Sequence, residues 1–171
     1  GTPITWFNYG NQTLYIGKRN SIWKVTWFTD NATLAKPTFK FNVEPISGTW
    51  PLNQEVFISV MQDTFYYDGN AVRRLSYEAN TLALKDAAIS NYIQPIIKSL
   101  PTSQLNATSL FTYPYYKIFL RNELSNVNNI GLVYNVINKS WRIQSGITVL
   151  HSASGYKDNS IAYFGDVFNW K

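Results

Sequence analysis

The amino-acid sequence predicts an all-β protein, a partial β-propeller of about three to three and a half four-stranded blades with one inserted helix. Three observations carry that prediction. Short runs of alternating apolar and polar residues, bounded by Asn, Asp, Gly, Pro and Ser, fill most of the 171 residues, which is the pattern of half-buried strands joined by tight turns. The strand pairs recur at a roughly even spacing, as blades do. Aromatic residues make up 16% of the chain and charged residues only 15%, a composition that fills a core and excludes disorder. A β-sandwich or jelly roll, also built from short, evenly spaced strands, is the alternative architecture.

The first pair is Leu14-Tyr15-Ile16-Gly17, a turn through Lys18-Arg19-Asn20-Ser21, and a strand from Ile22 to Phe28. The second runs from Val56 to Val60, through Met61-Gln62-Asp63 into Thr64-Phe65-Tyr66-Tyr67, then over the turn signal Asp68-Gly69-Asn70 into Ala71 to Leu75. The third joins Tyr115 to Leu120 with Gly131 to Val136, and continues over a polar turn after Ile137 into Trp141-Arg142-Ile143. A last strand spans Ser160 to Asp166, and Val167-Phe168-Asn169-Trp170 begins a further one.

Strand starts near Leu14, Val56, Tyr116 and Ile161 give steps of 42, 60 and 45 residues. The long step holds the one stretch of helical periodicity, residues 82–100, where Ile89, Tyr92, Ile93, Ile96, Ile97 and Leu100 recur three and four apart. Setting that insertion between blades aside returns the step to near 42. Pro95 predicts a kink or two short pieces with Pro95 opening the second, and Pro101 ends the helix. Ile89, Tyr92, Ile93, Ile96 and Ile97 are expected to face a neighbouring protein or the chain's own sheet. A blade cannot bury both faces alone, so blades stack. The expectation is one all-β domain over 1–171, or a segment of a larger propeller whose ring is completed by further residues or by partners; the opening at Gly1 and the half-built unit at Trp170-Lys171 favour a segment.

Several chemistries find no support. With no Cys and a single His, thiolate metal sites, disulfides and a Cys nucleophile are excluded, and a reducing site of synthesis is expected. His151 stands beside serines, but no Gly-x-Ser-x-Gly elbow accompanies it. Asp30, Asp63, Asp68, Asp158 and Asp166 fall at turns, where Asp bonds its own backbone. Asp158 and Asp166 are the nearest carboxylate pair, without a metal-loop spacing. The glycines are isolated, so no phosphate loop is present. No enzyme activity and no cofactor are expected. The net charge is +5, but Lys18-Arg19 and Arg73-Arg74 are the only adjacent basic pairs, so nucleic acid is not the expected partner. No apolar run is long enough to span a bilayer. Trp6, Tyr9, Tyr113 and Tyr115, in the two densest aromatic groups, are the candidates for stacking on a glycan, with packing between blades as the alternative use of such rings.

The order of these pieces resembles the propeller-like tail and neck proteins of phage virions, the podovirus tail stabilisation proteins among them. The likeness runs from Gly48 through Val56-Phe57-Ile58, Tyr66-Tyr67-Asp68-Gly69 and Arg74-Leu75-Ser76 into an Asp86 to Leu100 helix. It continues in Leu132-Val133-Tyr134-Asn135 with Trp141, where Asn135 stands in place of the usual Asp, and in Tyr163-Phe164-Gly165-Asp166. It covers roughly residues 48–171 and, weakly, 10–30. The resemblance implies a structural virion component of a tail or head-to-tail neck, assembled in the host cytoplasm as a homo-oligomeric ring with other tail proteins as partners and no active site. A carbohydrate- or receptor-binding β module is the alternative function.

Overall fold

A computed structural model describes residues 3–10, 13–30, 38–60, 63–77, 83–123, 125–154 and 161–164. Among them the chain is all-β, with fourteen strands and one short α-helix. The strands form three antiparallel four-stranded sheets and a final hairpin, each a run of consecutive strands. The first sheet holds β1 (Ile4–Gly10), β2 (Thr13–Lys18), β3 (Ser21–Asp30) and β4 (Thr38–Ser47). The second holds β5 (Ile58–Val60), β6 (Asp63–Tyr67), β7 (Val72–Tyr77) and β8 (Leu84–Ala88). The third holds β9 (Thr108–Thr112), β10 (Tyr115–Leu120), β11 (Asn128–Asn135) and β12 (Ser140–Val149). A fourth unit pairs β13 (His151–Ser154) with β14 (Ile161–Phe164).

Local chemistry sets the turns. Lys18 pairs with Ser21, leaving Arg19 and Asn20 as the loop, and Asn20 takes a φ of 89°, which a short polar side chain tolerates. Between β6 and β7, Asp68 Oδ1 accepts from the Asn70 and Ala71 amides at 2.8 and 2.7 Å, and Gly69 supplies the left-handed residue at φ 92°. Asn135 caps the β11–β12 turn in the same way, accepting from the Ile137 amide at 2.9 Å.

The strands of the three expected pairs are present, but the units they belong to differ from the predicted ones. Leu14, Tyr116 and Ile161 lie in or open second strands of their units, whereas Val56 lies in a 3-10 turn, Gln54–Val56, just ahead of the first strand β5. Asn53 caps that turn by accepting from the Val56 amide, which removes Val56 from the sheet. The second strands open at Thr13, Asp63, Tyr115 and Ile161, which are 50, 52 and 46 residues apart. No long step remains to be explained by an insertion.

The predicted helix over 82–100 is also corrected. Residues 84–88 are β8, paired with β7 from Tyr77↔Leu84 to Arg73↔Ala88, because Asp86 finds its hydrogen-bond partners within and beside that sheet. Only a 3-10 turn, Asn91–Ile93, and a six-residue helix α1 (Gln94–Ser99) remain helical. Pro95 sits in the first turn of α1, as the two-piece expectation requires, and Leu100 is extended ahead of Pro101.

The sheets pack face to face, with the second sheet between the first and the third. Phe57, just ahead of β5, and Tyr66 and Leu75 of the second sheet meet Trp6, Tyr15 and Ile22 of the first. On its other side, Phe65, Tyr67 and Val72 join Tyr116, Ile118, Leu132 and Tyr134 of the third, closed at one end by Ile93, Ile97 and Leu100. Phe65 and Tyr116 stack at 5.0 Å between ring centres. A smaller cluster of Leu110, Phe119 and Val149 lies apart from these two. The first strands follow one another in space: β1 lies against β5, β5 against β9, and β9 against β13. No helix among the described residues is long and apolar enough to cross a membrane.

Candidate functional site

Four features compete for a functional role: the predicted aromatic and helical residues, a polar cleft at the first strands, a charged node between sheets, and an open apolar face.

The predicted residues scatter. Trp6 is buried against Phe57 at 4.6 Å, its indole lying over Gly17, so it is unavailable for a ligand. Tyr9 is exposed and stacks on Trp27 at 5.9 Å on the first sheet. Tyr113 is exposed in the β9–β10 turn, and Tyr115 is half-buried beneath the Arg142 guanidinium at 4.8 Å, both at the third sheet. They form no common platform. Of the helical set, Ile93 and Ile97 are buried in the core, Ile89 and Ile96 pack against it, and Tyr92 alone stands out at 92% exposure. The segment from Ile89 to Ile97 therefore turns its isoleucines to the chain's own sheets and leaves Tyr92 outward. Asp158 and Asp166 lie outside the described residues.

A cleft of about 860 Å³ opens where the first strands meet, lined by Asn8 of β1, Ile58 and Ser59 of β5, Ser109 of β9 and His151 and Ser152 of β13. His151 Nδ1 lies 3.1 Å from a Glu55 carboxylate oxygen at its rim, both side chains well exposed. Ser59 pairs with Thr64 inside the second sheet, and other lining hydroxyls and amides join one unit to the next. Ser109 donates to the Glu55 carbonyl at 2.9 Å, Ser152 to the Ser109 carbonyl at 2.9 Å, and Asn53 to the Leu105 and Ala107 carbonyls at 3.0 and 2.9 Å. Ser152 is thus held by the Ser109 carbonyl and the Thr108 hydroxyl and not by the neighbouring His151, so the adjacency of the two in sequence makes no nucleophile and base. Among the described residues no group of three His, Asp or Glu side chains is placed to hold a metal ion.

Asp86 forms the charged node. Its carboxylate accepts from Arg73 Nε at 3.0 and 3.1 Å, from the Tyr66 hydroxyl at 2.9 Å, from Thr49 Oγ1 at 3.0 Å and from Ser47 Oγ. Arg73 also approaches Asp68 at 3.5 Å. Burial pushes the Asp86 carboxyl up, but the Arg73 guanidinium and the Ser47 and Tyr66 hydroxyls outweigh it and hold the group below the usual carboxylate range. Because Ser47 ends β4 and Thr49 follows it, the node fastens the first sheet to the second. Arg74 pairs with Asp63 at 2.8 Å, so the Arg73-Arg74 pair lies inside β7 with carboxylate partners and is no phosphate patch.

The remaining feature is the face of the first sheet turned away from the second. Cross-strand register places Phe7, Ile16 and Trp23 in one row, Tyr9, Leu14, Val25 and Val43 in the next, and Trp27 opposite Phe41. Phe7, Tyr9, Trp27, Phe41 and Val43 are 44 to 69% exposed. This sheet carries large apolar side chains on both faces, beside the Lys24–Glu44 ion pair in the row of Tyr15, which its sequence signals by unbroken apolar pairs such as Ile22-Trp23 and by Trp27 in register with Trp23.

Fold and site together define, among the described residues, a stack of four-stranded antiparallel sheets with an apolar face left open on the first. In comparisons with known protein families and with curated proteins the chain matches none.

Proposed function

We propose that this chain is a structural, assembly-forming protein whose sheets are successive blades of a partial β-propeller, and that it serves in a phage tail or head-to-tail neck. The observation that carries the reading is the order of the first strands: β1, β5, β9 and β13 follow one another around a single cleft, while the first sheet lays one face on the second and the second on the third. Units of that kind gain stability from their neighbours and bind by extending the stack. The polar groups of the cleft and the Asp86 node hold unit to unit, which is a structural use of the side chains that carry chemistry elsewhere. The virion assignment rests on the order of sequence motifs from Gly48 to Asp166.

An antibody raised against the purified chain, applied in electron microscopy to phage particles from the source of the sequence, is expected to decorate the tail or the neck. Label absent from particles, with the protein found only in particle-free lysate, refutes the virion role.

The exposed Tyr9–Trp27 stack supports a second reading, a carbohydrate- or receptor-binding β module. A glycan array on the wild type and on Tyr9→Ala tests it; a signal that Tyr9→Ala abolishes favours that reading, and no signal removes it.

A further inference from the structure

We propose that the open face of the first sheet is the seat for a second copy of this chain, docked head to tail so that the β13–β14 unit of one copy lies against the first sheet of the next. The proposal rests on the reading of the sheets as successive blades and names the partner of that stack.

Three observations support it. The first is continuity with the interfaces inside the chain. The row of Leu14, Ile16, Trp23 and Val25 occupies the second and third strands of its sheet, as Thr64, Tyr66, Arg73 and Leu75 do in the second sheet and Tyr116, Ile118, Leu132 and Tyr134 in the third. In the second and third sheets this face is covered by the preceding unit; Tyr66 meets Trp6 and Tyr15, and Tyr116 meets Phe65. Among the described residues of the three four-stranded sheets, the equivalent face stands open in the first. The partner that fits it is therefore a sheet of the same repeat, presented from the side that in this chain leads onward to β13 and β14.

The second observation is area. Five large apolar side chains at roughly half to two-thirds exposure offer about 500 Å². That is near the upper limit of what a monomer leaves open, and more than half of the roughly 800 Å² per partner in a stable interface. The third is chemistry. The face is paved by Phe7, Tyr9, Trp27, Phe41 and Val43, with the Lys18 ammonium 4.8 Å from the centre of the Trp23 ring beside them, a surface far richer in apolar rings than in the cations a nucleic-acid backbone needs. A heterologous contact of this kind gives each copy one seat and one tail, so association does not stop at a dimer unless a ring closes.

Sedimentation of the purified chain from about 1 to about 100 µM is the test, because an interface of standard size, roughly 800 Å² per partner, reaches micromolar affinity or better and this face supplies more than half of one. The wild type is expected to form species larger than a dimer. Phe41→Lys and, on a separate strand, Phe7→Lys are expected to weaken that association at least tenfold while leaving the melting transition in place, since both side chains point away from the core. A fluorescent Phe41→Lys chain, its own seat blocked but its tail intact, is expected to join wild-type complexes as a terminal copy. Raised salt is expected to preserve or strengthen association, because two chains of net charge +5 repel and the contact is apolar. A wild type that stays monomeric throughout overturns the proposal and leaves the blade reading standing. A dimer that excludes the labelled Phe41→Lys chain, association unchanged by both substitutions, or association lost in salt also overturns it. Failure of the blade reading would show instead in the distances between sheets within one chain.

Discussion

Replacing Asp86 by Ala removes the one carboxylate that joins the end of β4 to the second sheet. Four side chains lose an acceptor at once: Arg73, Tyr66, Thr49 and Ser47. Tyr66 retains a contact with Thr49, and Arg73 retains Asp68 at 3.5 Å. With the Arg73 and Asp86 side chains only 21 and 10% exposed, removal of one partner belongs with broken buried pairs. The retained Asp68 contact puts the loss at the low end of their range, about 3 kcal/mol, or roughly a hundredfold in the folding equilibrium. Asp86→Asn keeps the shape and some hydrogen bonds and is expected to cost about 1 to 2 kcal/mol. The pH dependence follows from the sign of the shift. The folded Asp86 carboxyl is depressed, chiefly by Arg73 against the opposing effect of burial. Its stabilisation is therefore full above the unfolded carboxyl value near 4 and is lost as pH falls through the lower folded value. Urea unfolding near pH 7, repeated stepwise below about pH 5, is expected to show a steeper acid loss for the wild type than for Asp86→Asn. An Asp86→Ala chain within about 0.5 kcal/mol of wild type, or identical acid profiles for wild type and Asp86→Asn, refutes the node as the fastening between sheets.

Gly17→Ala would place a Cβ 1.9 Å from Trp6 Cε2, so the indole has to leave its seat on Phe57; a loss of about 3 kcal/mol in thermal or urea unfolding is expected, and unchanged stability would disprove that packing. In the helical segment, Ile97→Ala is expected to cost about 2 to 5 kcal/mol and Tyr92→Ala less than about 0.5 kcal/mol, since the first is core and the second stands in solvent; equal effects would contradict the observed orientation. His151→Ala, which removes an exposed contact to Glu55, is expected to change stability by less than about 1 kcal/mol near neutral pH, and a larger loss would make that pair a principal tie of the fourth unit.

The local features were legible in the sequence because their causes are local. Asp68-Gly69-Asn70 folds by hydrogen bonds two and three residues away, and the turn at Arg19-Asn20 needs only a residue that accepts positive φ. Pro95 opened a helical piece because its fixed φ suits a first turn. Strand β1 was harder to see. Its Trp6-Phe7-Asn8-Tyr9 group resembles a binding cluster until a bulge between Ile4 and Trp6 sends Trp6 inward and leaves Phe7 and Tyr9 out. Gly17 was the available signal, since an isolated glycine within a strand marks a close approach. Strand β8 was hidden by Leu-Lys-Asp-Ala-Ala, poor in strand formers and continuous in pattern with α1; only partners as distant in sequence as Ser47 and Arg73 make it a strand. The Asp86 node was invisible for the same reason, and so was the true unit spacing, because Val56-Phe57-Ile58 is one apolar run in sequence but a capped turn followed by a strand in space.

The central claim is that the second sheet lies between the first and the third in one continuing stack. The chain has no native cysteine, so single-pair spin labels can be placed at the exposed positions Asn42, Lys85 and Arg142, one on the last strand of each sheet. Pulsed electron-spin distances are expected to be greatest for the 42–142 pair, exceeding the 42–85 and 85–142 distances by about 10 Å, one further layer of sheet packing. A 42–142 distance equal to or shorter than either of the others would place the third sheet back against the first, as in a closed sandwich, and would contradict the account.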